Sequence, residues 1–329
     1  KTTVIKAVMT VFARMGLKIA LAAPTGRAAK RMSEATSMEA KTIHRLLETD
    51  FTGGHGAVFR RDENDMLDED AVIVDEASMI DTLLMAALLK AIKPGARLIL
   101  IGDADQLPSI GAGYVLHDLI ESGRFSSVCL KEIFRQAQSS LIVRNAHAIN
   151  DGIYPDLTVK DGDFFFLRRD DERNIAPTVA DLIINRLPKS YGEEIRGGIQ
   201  VITPSHKGAA GTACLNAMLQ NALNPPDPKK NERKVRDVVF RAGDRVMQTK
   251  NNYDITWERD GKEGTGIFNG DIGKILSVNL HEENVTIDFD GRITEYDFTQ
   301  LDEIEHAYAI TVHKSQGSES PVVIIPAFS

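Results

Sequence analysis

Three short apolar runs constrain this chain more than any other feature. They are "KIALAAP" ending at Pro24, "AVIVDEAS" around Asp75 and "RLILIGD" ending at Asp103. Runs of this length read as strands buried on both faces, and helical patterns such as "TGRAAKRMSEA" and "TLLMAALLKAI" supply the cover between them. The alternation predicts a parallel sheet with helices packed on it and ligand sites at the carboxyl ends of its strands. Pro24-Thr25-Gly26, Asp75-Glu76 and Gly102-Asp103 all fall at such ends.

The α/β pattern resumes from about residue 146 with "DFFFLRR", a helix through "TVADLIINRL" and the buried-strand run "IQVITP". "NPPDPKKNERK" then reads as an exposed loop. Beyond it the period changes to two, through "DVVFRAGDRVMQT", "DIGKILSVN" and "VTIDFDGRITEYDF", with Asp290-Gly291 as a tight-hairpin signal. The chain returns through "AYAITVHKSQG" to a last strand, "PVVIIP". Earlier, the polar and Gly-rich stretch "TDFTGGHGAVFRRDENDMLDED" is longer than an ordinary connection and predicts a projecting hairpin. At 329 residues two domains are expected, 1–145 and 146–329, with the hairpin at about 49–69 and a small β module at about 237–302.

Composition excludes several classes. No apolar run is long enough to span a bilayer, so no membrane partner is expected. Cys129 and Cys214 are the two cysteines and lack metal-ligand spacing, which fits a reducing, cytoplasmic setting. The net charge of −8 argues against nucleic acid only until its distribution is seen. Residues 1–150 hold 18 acids and 18 bases, whereas 254–305 hold 14 acids against 4 bases.

Four stretches carry chemistry. Asp75 suits a bound Mg²⁺ and Glu76 suits a base for water, the pair that hydrolysis of a γ-phosphate requires. Gln106, one strand later, is placed to sense that phosphate, and Arg135 in "LKEIFRQA" offers a guanidinium for developing charge. Lys1-Thr2 reads as the end of a phosphate loop, an ammonium for the β/γ-phosphates and a hydroxyl for Mg²⁺ at a helix start. The glycines of such a loop do not precede it, so the expectation is a piece of a longer chain, with hydrolysis a property of the intact protein.

In this order, these stretches resemble superfamily 1 helicases, in particular the RecD-like group that includes the alpha subunit of exodeoxyribonuclease V. The resemblance covers essentially the whole chain. It implies an α/β architecture of two RecA-like P-loop NTPase motor domains, a β-hairpin insertion and an SH3-like barrel insertion. It further implies that "APTGRAAKRM" (Pro24, Thr25, Arg27), "KTIHRLL" (Thr42, His44) and "VITPSHKG" (Thr203, Lys207) contact single-stranded DNA. In "AYAITVHKSQGSE", His313 and Ser315 are then expected near DNA, and Gly317 and Glu319 near nucleotide. Lys250 and Asn252 are the contacts expected from the acidic barrel. The implied activity is ATP- and Mg²⁺-dependent translocation, 5′ to 3′, at junctions of single- and double-stranded DNA. The protein would work alone or with nuclease and helicase subunits of a recombination complex. Two rival readings are a non-catalytic DNA-binding or scaffolding subunit with a degenerate motor, and a P-loop ATPase acting on proteins or small molecules. The latter leaves the three DNA-type stretches without a purpose.

Overall fold

The computed structural model describes residues 2–50, 58–130 and 139–328. The first sheet is parallel, in the order Ala40–Thr42, Ile19–Ala23, Ala71–Val74, Arg97–Leu100. Alternation along its strands sorts their side chains to two sides. Ala20, Ala22, Val72 and Val74 face one core with Ile43, Leu47, Ile80, Leu84 and Leu88. Leu21 and Ile73 face the other, against Met32 and the Ile5, Val8, Met9, Phe12 stripe of the helix Thr2–Arg14. Burial on both faces is why Ile19–Ala23 and Ala71–Val74 read as unbroken apolar runs, whereas Arg97–Leu100, at the edge of the sheet, is only partly buried despite the same composition.

Register decides what the sheet presents. Ala23 lies beside Thr42, Ala22 beside Val74 and Val74 beside Leu100, so the carboxyl ends form one rim. Thr25, Thr42 and Asp75 follow or end these strands on that rim. The predicted hairpin is present as the antiparallel pair Thr49–Asp50 and Val58–Phe59. Glu48 enters it with φ 51° and binds Arg61 at 2.8 Å, a bridge across the hairpin base.

A second parallel sheet, Ala309–Thr311, Ile199–Thr203, Val322–Ile324, packs on the helices Ile175–Asp181 and Thr212–Leu223. "DFFFLRR" does not join it. A β-prone run becomes a strand only by pairing, none of the described strands pairs with residues 163–169, and Phe165 and Phe166 remain about half exposed.

Between the strands Ile199–Thr203 and Ala309–Thr311 lies a seven-stranded antiparallel sheet around Phe240, Val246, Ile275, Ile287, Phe289 and Tyr296. Its Asp290-Gly291 turn has φ of 54° and 82°, the double left-handed geometry that favours Asp-Gly. Antiparallel pairing already starts at Glu232–Val235, against Val238–Arg241, which corrects the loop reading of "ERK". The local composition is loop-like, and only the pairing reveals a strand.

The module is tied to the second sheet through Asp244, which is fully buried. Its carboxylate accepts from Gln220 (2.7 Å), Asn224 (2.6 Å), the Arg241 amide (2.8 Å) and Tyr308 (3.0 Å), with His306 Nε2 at 3.2 Å. Burial alone would raise its pKa, but hydrogen bonds from His306, Asn224 and Arg241 outweigh burial and hold it below the usual carboxylate value. A folded value below the unfolded one gives stability that is present above the ordinary carboxylate range and is lost as pH falls through the depressed value. Asp244→Ala should cost about 3–5 kcal/mol in urea unfolding at neutral pH. Asp244→Asn should flatten the acid side of the stability profile.

Candidate functional site

The strand Ala71–Val74 is buried throughout and delivers Asp75 and Glu76 to the rim. Backbone bonds fix the pair: Asp75 N donates to Ala22 O (3.0 Å) and Ala77 N to Ile101 O (2.9 Å). Glu76 is left-handed, φ 52° and ψ 40°, an uncommon conformation for a residue with a Cβ. Asp75 Oδ1 accepts from the Glu76 amide at 2.8 Å. Gly102 on the neighbouring loop is needed for packing. A Cβ there would lie 3.1 Å from the Ser78 amide nitrogen and 3.2 Å from that of Ala77.

Asp75 and Glu76 line a cavity of about 380 Å³ together with Ile5, Arg31, Gly317 and Glu319. The structure thus brings residues from the first rim together with the loop that follows the Ala309–Thr311 strand. Arg31 closes this cavity, donating to Gly317 O at 2.6 Å with Glu319 at 3.9 Å. Arg27, one turn earlier, donates to Ser318 Oγ and to Gly270 O. Burial lowers the Arg27 pKa, and neighbouring Arg31 adds to the effect. Sequence reasoning did not assign Arg31. The signal was its i+4 spacing from Arg27 on a helix, which puts both guanidiniums on one face. Gln316, also unassigned, donates across to Leu107 O at 3.0 Å.

The cavity lining holds three carboxylates against one guanidinium. An anionic polyphosphate would enter it only with a compensating cation. The donor set fits Mg²⁺, which is ordinarily held by one or two carboxylates plus phosphate oxygens. No cluster of three or more potential metal-ligating side chains occurs among the described residues. Gln106 is outside the cavity lining, its amide donating to Asp103 at 3.4 Å. Lys1, the Thr2 side chain and Arg135 lie outside the described residues.

The expected DNA contacts divide into two sets. Thr25 and Thr42 are helix N-caps, accepting from the amides of Ala28 (3.2 Å) and Arg45 (3.1 Å), so each opens a helix at the rim beside Pro24 and His44. Burial lowers the His44 pKa. Lys207 and His313 are exposed, while Ser315 Oγ donates to Val312 O at 2.7 Å. Thr203 is buried, its hydroxyl spent on Ala210 O (2.9 Å). Lys250 is paired with Asp302 (3.3 Å), and Asn252 is bound to Glu303 (3.0 Å) while accepting from the Asp254 and Ile255 amides. The structure therefore does not gather all of these residues on one open face.

Residues 1–162 match a family model described as an AAA domain, and residues 215–289 match the ATP-dependent RecD-like DNA helicase SH3 domain. The chain is 35% identical over 325 residues to the ATP-dependent RecD2 DNA helicase of Deinococcus radiodurans, covering 98% of this chain and 41% of that protein. It is 30% identical over 350 residues to the RecBCD enzyme subunit RecD of Mycobacterium tuberculosis, covering 94% of this chain and 55% of the relative. It thus spans roughly half the length of these relatives. Among solved structures, the Pif1 helicase from Candida albicans is similar in fold, with a TM-score of 0.52 at 16% identity, over 99% of this chain and 81% of that one. No helix among the described residues is long and apolar enough to cross a membrane.

The Leu116 methyl near Gly102 can turn aside, but the Ser78 and Ala77 amides belong to the turn that follows Glu76. Gly102→Ala should therefore lower stability by about 1–3 kcal/mol, seen as a reduced Tm.

Proposed function

This chain belongs to the RecD-like superfamily 1 helicases, and on that premise we propose that the intact protein is an ATP-dependent DNA helicase whose motor this chain carries. Residues 1–145 are its first motor domain and 146–329 its second. The observation that carries the reading is the cavity in which Asp75 and Glu76 face Gly317 and Glu319. A nucleotide held there touches both parallel sheets at once, so its binding and hydrolysis change how the two sheets sit together.

Mg²⁺ arriving with the nucleotide would offset charge on the phosphate oxygens, with Asp75 and Thr2 as the residues that hold it. Glu76 takes the proton of the attacking water as its oxygen bonds to the γ-phosphorus and the β–γ bridge bond breaks, its electrons leaving on ADP. Lys1 binds the β/γ-phosphates and Arg135 neutralises the transferred phosphoryl group. Gln106 relays the change, since the adjacent Leu107 carbonyl is bonded to Gln316.

Single-stranded DNA crosses the rim formed by Pro24, Thr25, Arg27, Thr42 and His44 and continues over Lys207, His313 and Ser315, while the buried Thr203 holds the 203–210 loop through Ala210 O. The helix N-terminus at Thr25 supports phosphate contacts rather than base reading. Movement is 5′ to 3′, toward junctions with duplex, in the cytoplasm. One relative is named a RecBCD enzyme subunit, which supports partner subunits of a recombination complex, tested by co-purification.

In the intact protein, Glu76→Gln should lower DNA-stimulated ATP hydrolysis by about 10²–10⁴-fold while leaving oligo-dT binding in place. Unchanged hydrolysis would remove Glu76 from the base role. Strand displacement on 5′-tailed but not 3′-tailed duplex checks the direction. Oligo-dT affinity should fall as salt rises.

A further inference from the structure

The acidic β module poses a chemical problem for a DNA motor. Residues 254–305 hold 14 acids against 4 bases, so the module repels phosphates. Its two polar candidates, Lys250 and Asn252, are engaged with Asp302 and Glu303. What it turns toward the first sheet's rim is instead a pair of aromatic rings, Tyr253 and Phe268.

Phe268 is an anchor. Its ring lies so close to Gly26 that a Cβ at that glycine would come within 2.5 Å of Phe268 Cγ. Tyr253 meets Phe268 edge-on, centroids 5.5 Å apart at 66°. The Tyr253 and Thr42 hydroxyls share a hydrogen bond of 3.3 Å, which fixes the ring at the rim. Over the Tyr253 ring sits the exposed Arg45 guanidinium, 5.7 Å from the centroid. Gly26 and Thr42 begin helices at the ends of two adjacent strands, where the DNA strand is proposed to cross. An aromatic ring held from two sides and covered by the guanidinium of an exposed side chain is suited to a flat nucleobase.

We propose that Tyr253 is a nucleobase-stacking platform: an unpaired base of single-stranded DNA enters between the Tyr253 ring and the Arg45 guanidinium, with Phe268 docked on Gly26 as the fixed support. The platform rests on the DNA-binding reading above and assigns the module a way to hold DNA that needs no positive charge of the module's own. Stacking is indifferent to base identity, as a motor that travels along any sequence requires.

The test uses the intact protein and two fluorescent strands of equal length, oligo-dT and an abasic strand with the same phosphates and no bases. Wild type should bind oligo-dT more tightly than the abasic strand. Tyr253→Ala should weaken oligo-dT binding by about tenfold or more and leave abasic binding unchanged, so that the preference collapses. Tyr253→Leu keeps apolar volume without a π-face and should behave like Tyr253→Ala, whereas Tyr253→Phe should stay near wild type. Unaltered Tm values for Tyr253→Leu show that the module is still folded. Equal weakening for both strands, no change, or tighter oligo-dT binding in both Tyr253→Ala and Tyr253→Leu would overturn the platform, the last by marking the contact as a cover over the rim. Wild-type protein that binds neither strand would instead sink the DNA reading itself.

Discussion

The carboxylate of Asp244 is the interaction on which the second half of the molecule depends. Strands Ile199–Thr203 and Ala309–Thr311 are neighbours in one parallel sheet, yet the whole β module separates them in sequence. The chain must leave the sheet, build an antiparallel body and return in register, with Thr203 beside Thr311. Asp244 draws together the outgoing helix (Gln220, Asn224) and the returning segment (His306, Tyr308) around one buried charge. A buried carboxylate so fully satisfied specifies an arrangement more than it stabilises one, because apolar packing could replace its energy but not its directionality.

A helix in the first half performs a similar service between the parts. Gly26–Thr36 carries Gly26 against Phe268, Arg27 against Gly270 and Ser318, and Arg31 against Gly317. Burial lowers the Lys30 pKa on the same helix, with Arg292 next to it in the module. One short element therefore touches the Asp75–Glu76 cavity at one turn and the β module at another.

Much of this was legible in the sequence because local rules carried it. The run Ala71–Val74 predicts a doubly buried strand, and Asp290-Gly291 predicts its turn, from residue type alone. The same chemistry at Asp260-Gly261, with φ of 52° and 72°, makes a second tight turn. Asp75 and Glu76 are read from their chemistry at a strand end and Gly317 and Glu319 from resemblance, and the structure sets all four around one cavity. What was not legible depends on long-range contact. Nothing in "AAKRM" says that Arg31 reaches a loop 286 residues away. Asn252 is expected as a DNA contact, yet it organises a turn and binds Glu303. "DFFFLRR" has strand composition and pairs with none of the described strands.

Glu76 carries a further consequence. Its left-handed backbone is one that glycine adopts without cost and glutamate does not. The fold would therefore be more comfortable with a smaller residue at this position, and the acid persists there against the preference of the backbone. Glycine at position 76 would remove the cost of that backbone conformation and, with the same change, take a carboxylate out of the cavity lining.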